Sequence, residues 1–139
     1  MSTAADNEAL IRRYYAAMVA GDLEGIWACF DEDIVYVDAA LGHRYEGMQA
    51  WKDFYTGYVA ALGVRMTLKD VVASADTYAL EYRMDGFHST DLPGLPATHK
   101  PWTVEGASYG KIRNGKIVAN TDYWNLAAML QQLGLMPGA

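Results

Sequence analysis

The chain has 139 residues, 52% of them hydrophobic, and a formal net charge of −6, enough for one domain with a sizeable core and too little for two. The negative balance, with no run of Lys or Arg, sets nucleic-acid partners aside, because a polyanion would be repelled. Cys29 is the single cysteine, which excludes an intrachain disulfide and a thiolate metal cluster.

In chain order, the start MSTAADNEAL is polar, and no apolar run reaches spanning length. A soluble, cytoplasmic chain without a membrane partner is the expectation. Residues 7–20 set Leu10, Tyr14, Ala17 and Met18 at helical spacing and stop at Gly21, a residue that favours helix ends. Asp22 can cap a short second helix through LEGIWACF, burying Leu23, Ile26, Trp27 and Phe30. The β-branched and aromatic run DIVYVDA predicts a strand. Residues 47–62 place Met48, Trp51, Phe54 or Tyr55, Tyr58 and Leu62 on one face of a third helix. Beyond Gly63, strands are predicted at 64–74, 77–89, 101–113 and 116–124, and the Asn-Gly step of RNGK at 113–116 suits a tight hairpin between the last two. Asn125 can cap a short closing helix, LAAMLQQL, that stops at Gly134. Nothing divides the chain, so residues 1–139 are read as one α+β domain, a curved, mostly antiparallel sheet wrapped around three N-terminal helices.

Within EYRMDGF, residues 81–87, Arg83 and Asp85 share one face of a strand and Tyr82 and Met84 the other. Alternation fixes these two faces without saying which is inside. On one reading the charges are a solvated surface pair; on the other they enter a pocket. On the first strand Ile34, Tyr36 and Asp38 share a face, and on the last Val118, Asn120, Asp122 and Trp124 do. Apolar residues mixed with a carboxylate suit the wall of a ligand pocket. If all three faces turn inward, Asp38, Asp85, Asp122 and Arg83 converge under a lining from Tyr14, Trp27, Trp51, Tyr55 and Trp102. Arg83 is then the counter-ion that lets one carboxylate stay charged while another stays protonated. His88 and His99 border the Pro- and Gly-bearing loop STDLPGLPAT, a rim over the pocket mouth, and are expected in loop or surface roles. His43 is expected exposed in a turn. The three histidines have no metal-binding spacing, and no phosphate loop or nucleophile elbow occurs, so neither metal nor other cofactor is expected.

The element order, the segment GDLEGIWACFDEDIVYVDA and the ending NGKIVANTDYWNLAAMLQQLG resemble the nuclear transport factor two-like superfamily. That resemblance implies a cone-shaped pocket between the sheet's concave face and the helices. The stretch GFHSTDLPGLPATHKPW followed by QLGLMP looks like the SnoaL-like polyketide cyclase group, which implies Asp122 as general acid/base for an intramolecular aldol closure. Tyr36, Asp38, Arg83, Asp85 and DYW at 122–124 look like limonene epoxide hydrolase. By that likeness Asp122 and Tyr36 activate water, Asp85 protonates the epoxide oxygen and Arg83 bridges the carboxylates, while Asp38 stands where an Asn is the rule. Tyr14 and Asp38 look like ketosteroid isomerase, implying Asp38 as proton shuttle and Tyr14 as donor to an enolate oxygen.

Three classes of function follow: a cofactor-free acid/base enzyme on a hydrophobic small molecule, a binder of an apolar ligand, or a dimerisation module. The enzyme is favoured, because binding alone gains nothing from burying several carboxylates. Its substrate wall is assigned to Trp27, Trp51, Tyr55, Trp102 and Trp124, and its catalytic groups to Asp122, Asp85, Arg83, Asp38, Tyr36 and Tyr14. A homodimer is expected through the convex sheet face, carried by Tyr82 and Met84 if Arg83 and Asp85 point inward.

Overall fold

The computed structural model describes residues 3–60, 62–92 and 94–136. Helix α1, Ala4–Ala20, opens with a reciprocal capping box between Thr3 and Asp6 and ends at Gly21, whose φ of 68° is left-handed. Such a cap satisfies backbone groups that a helix end leaves free. Helix α2 is shorter than its apolar pattern suggests, Leu23–Trp27, capped by Asp22. Strand β1, Phe30–Asp38, begins where the helix was expected to continue. The Cys29 carbonyl accepts the Ile117 amide and Phe30 pairs with Ile117, so sheet pairing overrides helical periodicity there.

Strand β2, His43–Glu46, lies in the segment read as a turn. Helix α3, Met48–Phe54, gives way to a π-helical turn over Tyr55–Ala60. There the Thr56 hydroxyl donates to the carbonyls of Lys52 and Asp53, a side-chain bond that competes with the helix's own. The remaining strands are β3, Arg65–Ala73, β4, Thr77–Phe87, β5, Pro101–Arg113, and β6, Lys116–Trp124, followed by α4, Leu126–Gln132. The β5–β6 turn has Asn114 at φ 53° and Gly115 at φ 74°, the left-handed pair that a two-residue hairpin demands.

The six strands form one open sheet in the order β2-β1-β6-β5-β4-β3, antiparallel except for the parallel β1–β6 pair. The helices cover one face. Buried Leu10, Ile11, Tyr14 and Tyr15 of α1 and Trp51 and Phe54 of α3 join a core with the inner residues of the sheet. On β4 that inner set is Tyr78, Leu80, Tyr82 and Met84, with Tyr82 1% and Met84 9% exposed. This corrects the inward placement of Arg83 and Asp85 and the outward placement of Tyr82 and Met84. Burial of a Tyr and a Met outweighs burial of an ion pair, which would lose its hydration without compensating partners.

Three glycines admit large rings onto the inner face. Tyr78 pairs across strands with Gly110, Tyr82 with Gly106 and Trp102 with Gly86. A Cβ at those glycines would fall 2.4 Å, 2.6 Å and 2.4 Å from the respective rings. Each ring therefore takes the space that a side chain on its partner would fill.

Candidate active site

Between the inner sheet face and the helices lies a cavity of about 210 Å³. Its wall is aromatic and aliphatic, with Tyr14 from α1, Tyr36 from β1, Trp51 from α3, Tyr82 from β4, Trp102 from β5 and Trp124 from β6 among the lining residues. Leu92 and Leu95, paired by backbone hydrogen bonds in the loop after β4, close one side. Among the described residues, the ionisable groups in the wall besides tyrosines are Asp38, His43 and Asp122, and no Lys or Arg contributes to it.

Asp122 is held on β6 with its carboxylate against the cavity. Ser108 Oγ donates to Oδ1 at 2.5 Å, Asn120 Nδ2 donates to the same oxygen at 2.8 Å, and the Tyr36 hydroxyl donates to Oδ2. The strand pattern explains the cluster: Asn120 and Asp122 are two apart on one face, and Ser108 is the cross-strand partner of Asp122. A carboxylate has about four acceptor sites. Two of the three donors occupy Oδ1, so Oδ2 keeps an open site. Burial raises the Asp122 pKa to about 6, against the lowering effect of the Ser108, Tyr36 and Asn120 donors, and the nearby Asp38 adds to the rise.

Asp38, 4% exposed, is the parallel cross-strand partner of Asp122. Its oxygens accept the Trp124 indole N–H, 3.0 Å from each, and Oδ1 accepts the Leu41 amide at 2.9 Å. Burial pushes its pKa up, offset by those bonds. Asp38 and Asp122, on neighbouring strands whose axes lie about 4.8 Å apart, thus share one apolar cavity. Tyr14 is buried, its pKa raised mainly by burial.

Of the expected site residues, Tyr14, Tyr36, Asp38, Trp51, Tyr55, Trp102, Asp122 and Trp124 line the cavity. Arg83 and Asp85 do not. Arg83 Nε meets Asp85 Oδ2 at 3.1 Å on the outer face, with the side chains 49% and 34% exposed. There the Thr103 hydroxyl and then Arg83 hold the Asp85 pKa down. Trp27 stands behind the wall, its ring edge-on to Trp51 at 6.2 Å and to Tyr55 at 5.6 Å. His43 is exposed as expected and also borders the cavity. His88 departs from its expected surface role: it is 1% exposed, and its Nδ1 accepts the Thr98 amide at 3.3 Å under the loop. Among the described residues no three His, Cys, Asp or Glu side chains gather to hold a metal ion.

Sequence reasoning passed over Ser108 and Tyr78. The Tyr78 hydroxyl donates to Asn120 Oδ1 at 2.5 Å. Asn120 was visible as a face-mate of Asp122, but the partners on β4 and β5 depend on strand register.

A family model described as the SnoaL-like domain matches residues 11–120. Among solved structures, a proposed polyketide cyclase of Xanthomonas campestris pv. campestris is similar at 27% identity and a TM-score of 0.83, covering 95% of this chain and 99% of its own. A second, from Silicibacter sp., has 28% identity and a TM-score of 0.80, over 95% of this chain and 98% of its own. A proposed hydroxylase of Streptomyces galilaeus, at 22% identity and a TM-score of 0.82 over 99% of this chain and 90% of its own, shares the fold.

Proposed function

The chain belongs to the SnoaL-like domain family, and from that premise we propose that it is a general acid/base catalyst of the cyclase or isomerase type. The observation that carries this reading is Asp122, a carboxylate on the wall of an apolar cavity with a pKa raised to about 6 and one oxygen still open. A base with a pKa near operating pH combines the ionised form with useful proton affinity. The likeness to proposed polyketide cyclases favours intramolecular aldol closure.

In that reaction Asp122 takes the proton from a carbon between two carbonyls. The enolate carbon attacks a second carbonyl of the same molecule, one C–C bond forms, and the new alkoxide takes the proton back from Asp122. No proton or electron is left over. Tyr36 is committed to Asp122 and orients it. Tyr14 lines the cavity and is the candidate donor to the developing oxyanion. Asp38, held by Trp124 and Leu41, is the second carboxylate of the site. The substrate is an uncharged, largely apolar molecule, because among the described residues no Lys or Arg in the wall receives an anion and two carboxylates repel one. Epoxide opening loses its expected acid and counter-ion, since Asp85 and Arg83 lie on the outer face.

The test is turnover of neutral, cyclisable polycarbonyl substrates by Asp122→Asn, which keeps shape and removes the proton acceptor. Activity is expected to fall by at least about 100-fold, while Arg83→Ala, on the outer face, retains wild-type turnover. Full activity in Asp122→Asn beside an inactive Asp38→Asn would make the strand-one carboxylate the base and overturn the assignment.

A further inference from the structure

We propose that Tyr78, which lies outside the cavity, is a positioning residue that keeps Asp122 in its proton-accepting form by locking the side-chain amide of Asn120. This rests on the reading of Asp122 as the base and deepens it.

Tyr78 and Asn120 are 2% and 4% exposed, so neither hydroxyl nor amide has bulk water as an alternative partner. The Tyr78 hydroxyl reaches Asn120 Oδ1 at 2.5 Å, and Asn120 Nδ2 reaches Asp122 Oδ1 at 2.8 Å. Gly110 makes the first contact possible, since a Cβ there would lie 2.4 Å from the Tyr78 oxygen.

Hydrogen-bond chemistry fixes the direction of this chain. An ionised carboxylate only accepts, an amide has a donor end and an acceptor end, and a phenol can do either. With Asp122 ionised, every group is satisfied in one arrangement only: Tyr78 donates to Oδ1 and Nδ2 donates to Asp122. With the amide turned over, its oxygen faces the carboxylate, and the contact is attractive only if Asp122 carries a proton. Tyr78 then loses the acceptor for its own proton, a buried donor left unpaired. Tyr78 therefore biases Asn120 toward the orientation that stabilises the charged carboxylate. Removing the hydroxyl frees the amide to turn and makes protonation of Asp122 easier.

The other groups facing Asp122 do not act through Asn120; of them Tyr36 and Ser108 donate to the carboxylate directly. These other groups are Tyr14 and Tyr15 from α1, Tyr36 and Asp38 from β1, and Tyr82 from β4, with His43 at the cavity rim and Ser108 across on β5. Burial raises the tyrosines above their usual range, so they stay neutral, and Asp38 is the carboxylate that titrates nearby.

The experiment is site-resolved ¹³C NMR titration of the Asp122 carboxyl in the wild type, Tyr78→Phe and Tyr82→Phe, repeated in an Asp38→Asn background, together with pH profiles of kcat/KM. In Tyr78→Phe the Asp122 midpoint is expected to rise by about 0.5 in pH or more, and the acid limb of kcat/KM to move up with it. Tyr82→Phe, which removes a cavity hydroxyl bonded to neither Asn120 nor Asp122, should move the midpoint much less. Folding is checked by circular dichroism. Should Tyr78→Phe not fold, Asn120→Ala carries the same expectation. An unchanged midpoint in a folded variant, or an equal rise in Tyr82→Phe, overturns the proposal. The titration needs no substrate, so a raised midpoint beside an active Asp122→Asn would uphold this coupling while removing the acid/base reading.

Discussion

Asp122 links chemistry to stability at the scale of one side chain. Its folded-state pKa is raised from 3.8 to about 6, so between those values the folded protein holds the proton more tightly than the unfolded chain. The stabilisation is fully present below about pH 3.8 and is lost as pH rises through about 6, at most about 3 kcal/mol for a change of about two pH units at 1.36 kcal/mol each. Asp38 shifts in the same direction. The urea midpoint of the wild type should therefore rise on going from pH 7 to pH 5 by more than that of Asp122→Asn. Parallel pH dependences in the two proteins would contradict the buried, charged state of this carboxylate. Asp85 has the opposite sign: its lowered pKa contributes stability that is lost only as pH falls below the usual carboxylate range.

At the scale of elements, β4 and β5 are matched by glycine as much as by side-chain alternation. The flat rings of Tyr78, Tyr82 and Trp102 need Gly110, Gly106 and Gly86 opposite them. Gly110→Ala puts a methyl 2.3 Å from the Ala119 carbonyl oxygen and 2.4 Å from the Tyr78 hydroxyl, so backbone or ring must move. A cost of about 1–3 kcal/mol in chemical denaturation is expected, with loss of the Tyr78–Asn120 bond. Gly57→Ala, in the π-helical turn, meets nothing within 4 Å and should be neutral or stabilising by up to about 1 kcal/mol. Equal effects at the two sites would mean that the ring-over-glycine packing carries no weight.

At the scale of the whole molecule, the sheet has an outer face that the helices do not cover. Cross-strand register lines up Val37, Thr121, Tyr109, Ala79 and Val72 across five strands. Tyr109 is 50%, Tyr123 55% and Val72 63% exposed. A row of this kind, apolar but for Thr121, marks an interface, and we propose that a second copy of the chain covers it. The face is the one expected, but other residues carry it, since Tyr82 and Met84 face the cavity. Sedimentation velocity at micromolar concentration should give a dimer for the wild type and a monomer for Tyr109→Glu combined with Tyr123→Glu. A monomeric wild type would remove the interface.

The sequence by itself determined whatever depends on neighbours along the chain. The helical spacing of Leu10 and Tyr14, the Gly21 stop, the Asp22 and Asn125 caps and the Asn114-Gly115 turn each state their own geometry locally. The pairing of Tyr36 and Asp38 on one strand face, and of Asn120 and Asp122 on another, was legible because a strand's period of two needs no tertiary information. That same symmetry hid which face of β4 is buried, and only the competition between Tyr82 and Met84 on one side and Arg83 and Asp85 on the other decided it. The four residues of β2 are too few for a period to register, and pairing with β1 makes them a strand. Register and strand order, which depend on contacts far apart in sequence, brought Asp38 beside Asp122, Ser108 opposite Asp122, and Gly110 under Tyr78. The carboxylate was visible in the chain; the hydrogen bonds that tune it exist only once the strands have paired in register.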